Sequence, residues 1–141
     1  MDYERFVKRV REEAGFGDEE TARRGIEAVL STLGERVYRT EASHLAAQLP
    51  RELKPALFER EPPELDRASV PPYSLEEFHN RVAARADLGR PAAVRIARAV
   101  AVVLKEAIAP GELAHVLAEL PAEFAQLFDG SSPGTAPRSS R

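Results

Sequence analysis

Two glutamates and two histidines have the only metal-ligand spacing in this sequence. Glu41 and His44 stand three residues apart, as do Glu112 and His115. On a helix, residues three apart lie on one face, one turn along. A carboxylate and an imidazole placed in this way can ligate one cation. In bundles, two helices with a Glu-x-x-His pair each, joined by Glu from two others, build carboxylate-bridged dimetal sites. Glu35 with Glu106, or Glu52 with Glu123, could supply the extra pair.

The same residues also fit a purely structural role. Glu41 and Glu112 fall in the first turn of their helices, where negative charge is favoured whatever the function. The apolar stripe of the first helix is Ala42, Leu45, Ala46 and Leu49, and His44 lies about 150° from its centre. Helices normally bury apolar stripes against each other. The expectation is therefore that the two histidines sit far apart, each partly wet beside its own glutamate. His79 reads as a surface residue.

Other chemistries find no support. The chain has no Cys, which excludes disulfides, thiolate metal sites and cysteine nucleophiles. No G-x-S-x-G elbow is present. Gly15-Phe16-Gly17 precedes a helix start, but Asp18, Glu19 and Glu20 would repel a phosphate there. A DNA-recognition helix needs Arg, Lys, Asn or Gln at its exposed N-terminal positions. Here those positions hold Glu41, Ser43 and His44, or Glu112, Ala114 and His115. The net charge is −3 and no basic block exceeds Arg23-Arg24, so no nucleic-acid partner is expected.

The elements that must position these residues are set by a duplication. The skeleton E-x-x-H-x-x-A-x-L-P-x-E occurs at Glu41–Glu52 and again at Glu112–Glu123, 71 residues on. Phe6, Arg9, Val10 and Ala14 recur as Phe78, Arg81, Val82 and Ala86 at an offset of 72. Past a one-residue deletion in the turn, Ala22, Arg24, Ala28, Leu33 and Glu35 recur as Ala93, Arg95, Ala99, Leu104 and Glu106. Self-similarity at one period indicates an internal repeat. The predicted fold is all-α: two pseudo-symmetric repeats of about four short helices each, forming one compact bundle. Residues 1–58 make the first repeat, 59–73 a Pro-rich linker, 74–130 the second repeat and 131–141 a disordered tail.

Caps and periodicity place the helices. Asp2 caps the first, with Phe6, Val7, Val10 and Ala14 inward. A second starts near Asp18, with Ala22, Ile26, Val29, Leu30 and Leu33 inward and Arg23, Arg24, Glu27, Ser31 and Thr32 on a wet face. Thr40 caps the short helix Glu41–Leu49, and Pro50 opens a fourth. Ser74 with Glu77 forms a capping box for the fifth. Residues 92–104 are apolar nearly all round, so this helix should be the central one.

The paired F-x-x-x-V, Gly-turn, Ala/Arg/Leu-helix and Glu-x-x-His-x-x-x-x-Leu-Pro order resembles the bacterial family catalogued as domain of unknown function 2267, over residues 2–130. The resemblance implies a small, soluble, all-helical bacterial protein of two like halves, and it brings no activity, cofactor or catalytic residue. The longest apolar run, Ala99–Leu104, is too short to span a membrane, and no secretory signal opens the chain. A cytoplasmic location follows as the expectation. The functional expectation is a non-enzymatic interaction or scaffold module with no cofactor, binding a protein partner or a second copy of itself. The alternative is a metal-binding protein using Glu41, His44, Glu112 and His115.

Overall fold

The computed structural model describes residues 1–15, 17–60 and 74–128. Among them there are seven α-helices, two 3₁₀ segments and no strand. The helices are α1 (Tyr3–Ala14), α2 (Glu19–Gly34), α3 (Arg39–Ala47), α4 (Leu75–Ala86), α5 (Arg90–Ala107), α6 (Pro110–Ala118) and α7 (Ala125–Phe128). A 3₁₀ helix, Arg51–Phe58, follows α3, and a 3₁₀ turn, Ala122–Phe124, precedes α7. The proposed linker lies outside the described residues apart from Glu59 and Arg60, and the proposed tail lies wholly outside them.

Local chemistry sets the helix starts. The Asp2 carboxylate accepts from Arg5 N–H at 2.8 Å, Asp18 accepts from Thr21 N–H at 2.8 Å, and Ser74 Oγ accepts from Glu77 N–H at 3.0 Å. Each satisfies a backbone donor that the helix leaves open. Gly15 ends α1 at φ 73°, in the left-handed region that glycine enters without strain. The short helix α3 starts at Arg39 with Tyr38 as its N-cap, so Thr40 sits inside the first turn and does not cap it.

Helix α1 lies chiefly on α5, and α4 lies on α2 and α5. Helix α5 is central, as its sequence predicts: Ile96, Ala97, Val100, Val103 and Leu104 are buried. Helix α2 is equally enclosed, and here the expectation of a wet face is only partly met. Arg23 and Glu27 are exposed, whereas Ser31 and Thr32 are buried. Their hydroxyls donate back to Ala28 O at 3.2 and 2.7 Å, so both polar groups enter the core satisfied. Gly34 closes this packing. A Cβ there would stand 2.1 Å from Leu57 O, so the 3₁₀ helix crosses α2 backbone to backbone.

Polar links between the helices come in matched pairs. Arg9 Nε donates to Glu106 at 3.0 Å, and Arg81 Nη1 donates to Glu35 at 2.9 Å. Arg24 Nε donates to Ala86 O at 3.1 Å, and Arg95 Nη2 donates to Ala14 O at 2.9 Å. The last two place a cation on the open carbonyl end of α4 and of α1.

Candidate metal centre between the two short helices

Helices α3 and α6 each bury an apolar side, Ala42, Leu45 and Ala46 in one and Leu113 and Val116 in the other. Helix α3 packs on the Arg51–Phe58 helix, α6 packs on the Ala122–Phe124 segment, and the two also touch each other. Glu41 and Glu112 meet at that contact. Two backbone-to-side-chain hydrogen bonds hold the meeting in register. Glu119 Oε1 accepts from Tyr38 N–H at 2.7 Å, at the start of α3, and Gln48 Oε1 accepts from Ala109 N–H at 2.7 Å, at the start of α6. Each helix thus has its N-terminal donor capped from the C-terminal end of the other.

Three of the four candidate residues converge at this contact, and His44 borders them. Glu41, Glu112 and His115 each offer a ligand atom within 4.8 Å of the others. His44 Nδ1 lies 3.9 Å from Glu41 Oε2 and 3.8 Å from Glu112 Oε1, so it is shared between the two carboxylates. The expectation that each histidine keeps only its own glutamate is therefore not met for His44. It assumed one partner surface per helix. Here α3 packs on the Arg51–Phe58 helix and also on α6, so it has two partner surfaces.

The site has a closed floor and an open rim. The Glu41 and Glu112 side chains are each 15% exposed, whereas His44 is 56% exposed. Glu41 Oε1 and Glu112 Oε2 are fully buried and accept no hydrogen bond. Leaving a buried acceptor without a partner costs about 1–3 kcal/mol. Burial pushes the Glu41 carboxyl above the usual range, a hydrogen bond from its protonated form to Glu112 adds to this, and the Glu112 and Glu119 charges push it further, against the pull of His115. The floor therefore concentrates acceptors and negative charge, with imidazole nitrogens at the entrance.

The further carboxylates that would complete a dimetal site lie elsewhere. Glu35 is held by Arg81 and Arg85, and Glu106 by Arg9. Glu123 lines a different cavity, beside His79. Glu52 is close enough to Tyr3 to act on its hydroxyl. The donor set at α3–α6 is thus two carboxylates and the His115 imidazole, with His44 beside both carboxylates. A single first-row divalent ion accepts such a mixed N/O set.

His79 is not at the surface. It is 6% exposed, with Nδ1 buried and without a hydrogen bond. Burial, with Arg90 and Arg98 nearby, lowers its pKa to about 4. The signal was present in the repeat: position 79 corresponds to Val7, which helical spacing already turned inward.

These features define an all-helical protein whose two short helices face a Glu/His cluster to one another. No curated protein matches the chain. The chain belongs to the family described as uncharacterized conserved protein (DUF2267), which matches residues 3–127.

Proposed function

We propose that this protein binds one divalent transition-metal ion between α3 and α6, with Glu41, Glu112 and His115 as ligands and His44 completing the set. The observation that carries the reading is the pair of neighbouring carboxylates, each with a buried oxygen that accepts no hydrogen bond when both are ionised, grouped with His115. A cation would neutralise the like charges and occupy the open acceptors together. Ligand atoms about 2.0–2.2 Å from one ion must lie closer to each other than 4.8 Å. Binding therefore requires the side chains to draw inward, which the exposed histidine rings are free to do.

The chain is read as two like halves, residues 1–58 and 74–130, related by an approximate twofold through the α3–α6 contact. The matched links Arg9–Glu106 with Arg81–Glu35, and Glu119–Tyr38 with Gln48–Ala109, support this. The ion would then tie one half to the other, as a structural clamp with no reaction assigned to it. A scaffold role fits such a clamp.

Metal analysis and titration calorimetry of the tag-free protein with zinc chloride test the proposal. The expected result is about one ion per chain, a rise in Tm, and loss of both effects in Glu112→Gln. A wild-type chain that binds no zinc, nickel, cobalt or manganese would overturn it.

A further inference from the structure

A cavity of about 360 Å³ lies between the start of α4, the start of α5 and the α7 segment. Its volume is in the range of small-molecule sites. Arg90, Val94 and Arg98 reach it from successive turns of α5, and Leu75, Glu76 and His79 reach it from α4. Arg90 approaches Glu76 at 4.0 Å, a long contact to a side chain that is 74% exposed. Arg98 makes no ion pair among the described residues.

The comparison with the first half shows that the fold does not require these groups. A groove lined by Tyr3, Glu4, Val7, Lys8, Arg11 and Glu19 occupies the corresponding place, since Leu75, Glu76, His79 and Arg90 are the counterparts of Tyr3, Glu4, Val7 and Glu19 at offsets of 72 and 71. Val7 fills there the position that His79 fills here, and it is similarly buried, at 4% exposure. Glu19 and Glu27 stand where the second half has Arg90 and Arg98. Packing alone is satisfied by valine. The second half instead buries an imidazole whose Nδ1 has no partner and surrounds it with two guanidinium groups. Such a group calls for an acceptor or donor from outside the chain.

We propose that this cavity binds a small organic carboxylate, its head on Arg98 and Arg90 with His79 alongside, and its apolar body against Leu75, Val94 and Leu127. Arginine matches a carboxylate with parallel N–H donors. The wall also contains Glu76 and Glu123, which disfavour a doubly charged phosphate more than a singly charged head. The three apolar side chains give an alkyl or aryl body something to cover. The site is independent of the α3–α6 cluster and stands whether or not that cluster binds metal.

The test follows the His79 ring resonances by NMR in the full chain, titrated with sodium benzoate and, separately, with inorganic phosphate at matched ionic strength. Benzoate should give a saturable shift in the millimolar range or tighter. Arg98→Gln should weaken it at least tenfold, and Glu41→Gln should leave it unchanged. Phosphate should give no saturable shift. An unsaturated or absent benzoate response in the wild type would overturn the proposal, as would undiminished binding by a folded Arg98→Gln variant. Phosphate binding as tight as benzoate would also overturn it, since the apolar wall would then contribute nothing.

Discussion

The α3–α6 contact and the α4–α5 cavity treat the duplicated sequence in opposite ways. At α3–α6, matching residues of the two copies stand face to face, so Glu41 meets Glu112 and each gains the other's charge. At the cavity the copies are apart, and they differ: Val7 against His79, Glu19 against Arg90, Glu27 against Arg98. If the proposed twofold holds, a residue near its axis is doubled whether or not its charge is tolerable. A residue far from that axis changes in one copy without consequence for the other. The first situation creates a demand for a shared counter-ion. The second allows one copy to acquire a group that the fold does not need.

Both sites depend on one rigid frame, and the largest effects should come from breaking it. Val100 is fully buried at the centre of α5. Val100→Asp would bury an unpaired carboxylate at a cost of several kcal/mol, enough to remove most of a domain's stability. Circular dichroism should show an unfolded or aggregated chain, with both sites lost together. A soluble Val100→Asp protein with a cooperative melt would mean that α5 does not hold the sites in one frame. Gly34→Ala comes next. Its Cβ would fall 2.1 Å from Leu57 O, on backbone that cannot rotate away. A loss of about 2–4 kcal/mol in urea denaturation is expected, in the range of a severe packing defect.

Glu41→Gln sharpens the comparison because it should separate stability from binding. The raised pKa of Glu41 means that the folded chain holds this proton more tightly than the unfolded chain does. Without metal, the contribution of this group is therefore full below the ordinary pKa of 4.5 and is lost as pH rises through the raised value. Glutamine removes that loss. At pH 7 the metal-free variant should melt a few degrees higher, about 1 kcal/mol, while its zinc affinity falls at least tenfold. A variant that loses stability at pH 7 without metal would show that the ionised carboxylate is already compensated within the chain.

Much of this was legible in the residues themselves. Asp2, Asp18 and Ser74 cap the helices that their spacing announces, because capping is a local matter of one side chain and the next turn. The all-round apolar character of residues 92–104 gave the central position of α5. The wet face assigned to Ser31 and Thr32 was misplaced because a hydroxyl can satisfy itself on the preceding turn and so enter a core. The convergence of the Glu/His pairs was not legible, since it depends on how two short helices meet across the molecule. A trace of it was present in Gln48 and Glu119, one turn beyond each histidine at matching positions, which cap each other's helices. His79 was hidden by Glu76, Glu77, Asn80 and Arg81 around it, a polar setting that outweighs one inward position.

The smallest expected effect concerns His79, and its pH dependence has the opposite sign to that of Glu41. The groups lining its cavity include two cations, Arg90 and Arg98, and two carboxylates, Glu76 and Glu123. Burial dominates, the arginines add to it, and the pKa falls from 6.5 to about 4. Between these values the unfolded chain takes up a proton that the folded chain refuses. The contribution is therefore full above pH 6.5 and is lost as pH falls towards 4, on the order of 2 kcal/mol over the window. His79→Val restores the residue found at the matching position in α1, where it packs without a cavity-facing nitrogen. At pH 7 its Tm should lie within a few degrees of the wild type. Between pH 6.5 and 4 the wild type should lose stability more steeply than the variant, in parallel denaturation series. Equal slopes would place the imidazole in contact with solvent in the folded state. A steep fall in Tm for His79→Val at pH 7 would instead make the histidine part of the packing, and the contrast between the two halves at this position would disappear.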